Sequence, residues 1–112
     1  MSVTTPFSAL SENARRVMAH VDAVRLITMQ RALATFGGRE DGGVAREALT
    51  ATERQARRWL IQQVQGPRYS WHVDAAANLF LRRAGTDERL PPVMTGSHID
   101  TQPVGGWLDG AY

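Results

Sequence analysis

The chain has 112 residues, enough for one domain with its own core, and its 43% hydrophobic and 21% charged content is ordinary for a globular protein. Thirteen basic residues, all arginine, face eleven acids for a net charge of +2, and the arginine pairs at 57–58 and 82–83 stand apart, which excludes the dense basic patch of a nucleic-acid binder. The lack of cysteine removes disulfides and thiolate ligands, and no apolar run approaches the ~20 residues of a membrane span, so a cytoplasmic protein with no membrane partner is expected.

Residues 1–9 are small and polar around Pro6 and read as a flexible tail. From residue 10 to 35 the pattern is helical. Val17, Val21 and Val24 recur at steps of four and three, and Leu26, Met29 or Gln30, and Leu33 continue a shifted stripe. The shift falls at Asp22, a residue able to cap a new helix, so two helices joined there fit as well as one. His20, alone in this region, reads as a partly exposed bystander. Residues 37–43 carry four glycines around three charges and form a tight loop.

Thr50 and Glu53 have the spacing of a capping box and open a helix. Its apolar face is Ala56, Trp59, Leu60 and Val64, with Arg54, Arg57 and Arg58 on the solvent side. Gly66-Pro67 ends it. Residues 69–74 and 78–83 read as strands separated by alanines 75–77, with His72 a surface-facing strand residue. After a polar turn at residues 85–89, Pro91-Pro92 lead into a third short strand at Val93-Met94-Thr95. Helices followed by strands of a mixed sheet indicate an α/β domain.

The chemistry concentrates after that third strand. His98-Ile99-Asp100 places an imidazole and a carboxylate two residues apart, on one side of the pleat if the segment is a strand end. Imidazole is the commonest ligand of a borderline divalent metal, and a carboxylate beside it can take the second ring N–H and fix the tautomer. Asp109 follows a loop containing Gly105 and Gly106, and a carboxylate there can bridge two metals about 3.5–4 Å apart. By spacing alone this is suggestive and no more, since a His-x-Asp often arises by chance and a glycine-rich loop after a strand is more usually just a turn.

The longer run carries more. Gly96-Ser97-His98-Ile99-Asp100-Thr101-Gln102-Pro103, then Gly105-Gly106 and Asp109-Gly110-Ala111, closely resembles the metal-site motif of one metallohydrolase group. That group is the amidase/carbamoylase branch of the aminoacylase–carboxypeptidase-like metallopeptidase superfamily, which includes N-carbamoyl-L-amino-acid hydrolases and allantoate amidohydrolases. Upstream, Arg25-Leu26, Phe36-Gly37, Gly43-Val44-Ala45-Arg46, Ala48-Leu49-Thr50, and Asp74 with Asn78-Leu79 are similar to that family's amino-terminal region in the same order. The likeness extends over residues 21–112. Ala77 departs from it, standing where the family usually has Gly.

The resemblance implies that His98 ligates one metal, that Asp109 bridges two, and that Asp100 serves catalysis by orienting His98. It implies two divalent ions, Zn2+ or Mn2+, a small ureido or carbamoyl substrate such as an N-carbamoyl-L-amino acid, allantoate or ureidopropionate, and a homodimer of the full-length protein. The family's glutamate pair, with its general base, and two further histidine ligands are absent here. Residues 10–112 are therefore expected to be the amino-terminal, truncated portion of a dinuclear-metal catalytic domain that is inactive alone. A truncated, non-enzymatic remnant with a binding or structural role is the alternative.

Overall fold

The computed structural model describes residues 11–108. Two helices fill the first helical region. The Ser11 hydroxyl accepts the Ala14 N–H at 3.2 Å and starts α1 (Glu12–Met18). The Asp22 carboxylate accepts the Arg25 N–H at 2.9 Å and starts α2 (Ala23–Ala34). Each cap satisfies a backbone donor that the first turn leaves without an intrahelical partner. The valine stripe does not pack as its period suggests. Val17, Val21 and Val24 are 69%, 63% and 79% exposed, and the buried residues of α2 are Gln30 and Leu33, toward its C-terminal end. Periodicity marks a face able to be buried, and no described element lies over this one.

Gly37 reverses the chain with φ +86°, and a Cβ there would come within 2.2 Å of the Ala45 carbonyl oxygen, so only glycine fits. The loop folds tightly, with Asp41 accepting from the Arg39 guanidinium and from the Gly43 N–H at 3.0 Å. These bonds hold the exposed Asp41 carboxyl down at about 2. The loop leads into β1 (Gly43–Val44).

The Thr50 hydroxyl accepts the Glu53 N–H at 3.2 Å and opens α3 (Ala51–Gln63). Only half of the expected capping box forms. The Glu53 carboxylate is buried and takes the Arg57 Nε–H instead of reaching back to the helix start. Arg57 is correspondingly not on a solvated face: its Nη1 donates to the Ala77 carbonyl and ties α3 to the next element. On the packed side, Ala56 is fully buried and Trp59 meets Phe36 with ring centroids 5.9 Å apart.

That next element is an antiparallel hairpin of β2 (Tyr69–Val73) and β3 (Leu79–Arg83), in register from Tyr69↔Arg83 to Val73↔Leu79. The Trp71 indole N–H donates to the Val64 carbonyl at 3.1 Å, a second link to the end of α3. Asp74 organises the turn. Its Oδ1 accepts the Ala76 and Asn78 N–H groups at 3.0 and 2.8 Å, and its Oδ2 accepts from the Asn78 amide at 2.9 Å. His72 is exposed on the strand as expected, with Phe80 as its cross-strand neighbour.

The expected third strand does not form. Residues 91–100 belong to no strand among the described residues, and Val93 and Met94 are 101% and 80% exposed. Consecutive prolines cannot donate to a ladder, so the segment is poorly suited to an interior sheet position. The next strand is β4 (Gly105–Gly106), which pairs antiparallel with β1 as Gly43↔Gly106 and Val44↔Gly105. The result is α/β, with two small antiparallel sheets and no parallel pairing among the described strands. The apolar core is small: Leu33, Val44 and Ala56, with Arg46, Glu53 and Thr101 buried beside them.

Candidate functional site

His98 and Asp100 sit on the irregular segment that follows the prolines, not on a strand end. Their pairing survives the change of backbone. His98 Nδ1 lies 3.0 Å from the Asp100 carbonyl oxygen and 3.3 Å from its Oδ1. With Nδ1–H donating to Asp100, the lone pair is on Nε2, the nitrogen then suited to a metal. Solvent reaches both side chains, which are 63% and 41% exposed, so a ligand has access. An imidazole whose Nδ1 is held by the Asp100 carbonyl oxygen, with the carboxylate beside it, leaves Nε2 in a form that fits a borderline divalent ion. No group of three or more His, Asp or Glu able to hold a metal converges among the described residues, where His98 and Asp100 meet as a pair. Asp109, the expected bridging ligand, lies outside the described residues.

The segment forms one wall of a groove of about 950 Å³. Glu53 and Arg57 of α3 line a second side, and Trp71 and Phe80 of the hairpin a third. Glu53 is thus a carboxylate on the groove, but it is 1% exposed and committed to Arg57. His20 and His72 are exposed and contribute nothing to this wall.

The sequence reading gave Arg46 no role, yet it is the most connected side chain near the site. It is fully buried. Its Nη1 donates to the Leu33 and Phe36 carbonyls at 2.9 and 2.8 Å, at the C-terminal end of α2. Its Nε donates to the Ile99 carbonyl at 2.7 Å, between His98 and Asp100. Its backbone N–H donates to the Thr101 hydroxyl at 2.9 Å, and its carbonyl accepts the Thr101 N–H at 2.9 Å. The Thr101 hydroxyl in turn donates to the Val44 carbonyl at 2.9 Å. Burial pulls the Arg46 guanidinium down from its ordinary value, and the charges of Asp100 and Glu53 oppose that shift. The sequence analysis met Arg46 only as the last residue of Gly43-Val44-Ala45-Arg46, one of the runs that carry the resemblance.

No family model matches the chain. Among characterised proteins it is 39% identical over 90 residues to the N-carbamoyl-L-amino-acid amidohydrolase of Rhizobium meliloti, covering 80% of this chain and 22% of that protein. It is 36% identical over 80 residues to the allantoate amidohydrolase of Bacillus subtilis, covering 71% of this chain and 19% of that protein. Among solved structures, a hydantoinase/carbamoylase family amidase from Burkholderia ambifaria superposes with a TM-score of 0.75 at 42% identity, over 80% of this chain and 22% of that one. A family amidase from Burkholderia vietnamiensis gives 0.76 at 40% identity with the same coverage. The chain spans about a fifth of the length of these relatives. Sequence and fold agree over four fifths of its own length, and the chain belongs, as a segment, to the hydantoinase/carbamoylase family of amidases.

Proposed function

We propose that this segment delivers a metal-ligating histidine and its orienting carboxylate to the site of an amidohydrolase acting on a linear C–N bond of a ureido or carbamoyl compound. The observation that carries the reading is the His98–Asp100 pair, with Nδ1 3.0 Å from the Asp100 carbonyl oxygen on an open groove wall. The relatives named for N-carbamoyl-L-amino acids and allantoate support the substrate class. In this reading His98 would hold a divalent ion, zinc or manganese, through Nε2, and Asp109 would be a further ligand in a two-ion site. When bound, such ions supply Lewis acidity toward the scissile carbonyl. Asp100 keeps the His98 proton on Nδ1 and the ring in one orientation.

Hydrolysis also needs a group to take a proton from water. Asp100 is occupied with His98, and Glu53 is buried against Arg57. Neither is placed to serve, so the base is expected from outside the described residues. A missing general base alone removes on the order of 10²–10⁴-fold in rate. The 112-residue chain should therefore bind Zn2+ or Mn2+ weakly and release no product from N-carbamoyl-L-amino acids. Equilibrium dialysis and a product-release assay on the wild-type chain and on His98→Ala test both halves. Metal-dependent turnover by the chain alone, or equal metal affinity in wild type and His98→Ala, would overturn the proposal.

A further inference from the structure

We infer that Arg46 is a positioning residue for the His98–Asp100 pair, acting through its bonds to Ile99 and Thr101. The inference rests on the reading of His98 and Asp100 as site residues and adds what holds them in place.

The segment carrying them is not secured by a strand. The residues on either side of Asp100 are instead bonded to one buried arginine: Ile99 by the Nε–H at 2.7 Å, and Thr101 by the Arg46 backbone in both directions at 2.9 Å. The other end of the fork is anchored to the Leu33 and Phe36 carbonyls, at the end of α2, where the last turn leaves acceptors without intrahelical donors and a cation is favoured. Arg46 thus joins the end of α2, β1 and the His98–Thr101 segment. A planar guanidinium can bond in two directions at once from one rigid group. A lysine ammonium is a single point on a flexible stem and cannot span both sets of carbonyls. The position is held even though Nη2 is buried with no hydrogen-bond partner among the described residues, so the bonds of Nε and Nη1 decide where the side chain lies.

The test uses the 112-residue chain in four forms: wild type, Arg46→Lys, Thr101→Val and Thr101→Ser. Thr101→Val removes the hydroxyl that ties β1 to the segment while keeping side-chain shape, and Thr101→Ser restores it. Backbone order parameters from NMR relaxation are measured at residues 98–100 and across β2 and β3, together with Zn2+ affinity by chelator competition. In Arg46→Lys and Thr101→Val, the order parameters at 98–100 should fall from the rigid range near ~0.85 toward ~0.6, with the hairpin unchanged. Zn2+ affinity should fall by roughly 10–100-fold, the usual consequence of loosening a ligand's support. Thr101→Ser should resemble wild type. Unchanged order at 98–100 in Arg46→Lys would overturn the inference. An equal loss of order across the hairpin in both Arg46→Lys and Thr101→Val would also overturn it, by making Arg46 a general fold residue. A wild-type chain with no Zn2+ affinity would refute His98 as a ligand, while the order parameters would still decide the role of Arg46.

Discussion

Ala77 holds a left-handed backbone, φ +64°, in the hairpin turn. The conformation is enforced from both sides. Its N–H donates to the Asp74 carbonyl at 3.0 Å, and its own carbonyl accepts Arg57 Nη1 from α3. For a residue with a Cβ, this region costs roughly 1–2 kcal/mol. Replacing Ala77 by Gly removes that cost. Against it stand roughly 0.4–1 kcal/mol for the greater freedom of glycine in the unfolded chain and a few tenths for a half-buried methyl. The net expectation is a gain of about 0.5 kcal/mol, or about 2–4 °C in Tm for a domain of this size. Ala77→Val should lose at least about 1 kcal/mol, since a β-branched side chain fits this region worse still. Chemical denaturation followed by the tryptophan signal measures both. The carbonyl bonded to Arg57 is a backbone group present in all three variants, so side-chain contacts do not obscure the comparison. A destabilising Ala77→Gly, or a neutral Ala77→Val, would refute the claim that backbone strain is the main energetic feature of this turn.

Other residues give sharper or flatter responses. Gly37→Ala combines a positive φ with a 2.2 Å approach to the Ala45 oxygen and should cost about 2 kcal/mol or more, read as a fall in the denaturation midpoint. Val24→Gln, at a position 79% exposed, should change stability by no more than about 0.5 kcal/mol, and a larger loss would mean that the valine stripe is covered in solution. The Asp74 carboxyl is held below its usual range by the Asn78 side chain first and then by backbone N–H groups. Because its folded value lies below its unfolded value, the turn's contribution is present above pH ~4 and is lost as pH falls through the folded value. The Asn78 amide resonance should report that loss in wild type and be insensitive to acid in Asp74→Ala.

Much of this architecture was legible because it is local. Asp22 and Thr50 cap helices three residues away, and the aromatic and aliphatic runs flanking three alanines form the hairpin they suggest. The His98–Asp100 pairing was legible for the same reason: two residues apart, the imidazole reaches Asp100 whether or not a ladder holds the backbone. The third strand was misread because Val93-Met94-Thr95 has strand composition, while a strand also requires a partner edge that composition does not specify. Arg57 was misread as solvated because helical spacing shows which side of a helix a residue is on, and not what a neighbouring turn brings to that side. Arg46 was invisible on different grounds. Its bonds to Ile99 and Thr101 run to residues 53 and 55 positions away, and no periodicity or spacing encodes a contact of that range.

These long-range bonds bear on how such a site tolerates change. A strand end would fix His98 and Asp100 through repeated ladder bonds, each replaceable by its neighbours. Here the same placement depends on one guanidinium, one hydroxyl and one backbone bond, with three buried hydrophobic residues behind them among the described residues. Substitutions in the exposed apolar stripe should therefore leave the site geometry intact, while a single change at Arg46 or Thr101 should alter it without touching a ligand. A buried charge retained at the edge of so small a core carries a desolvation cost that an apolar residue would avoid. Its bonds to two separate chain segments, the end of α2 and residues 99–101, give that cost a structural return: they orient the histidine in a stretch where no ladder does.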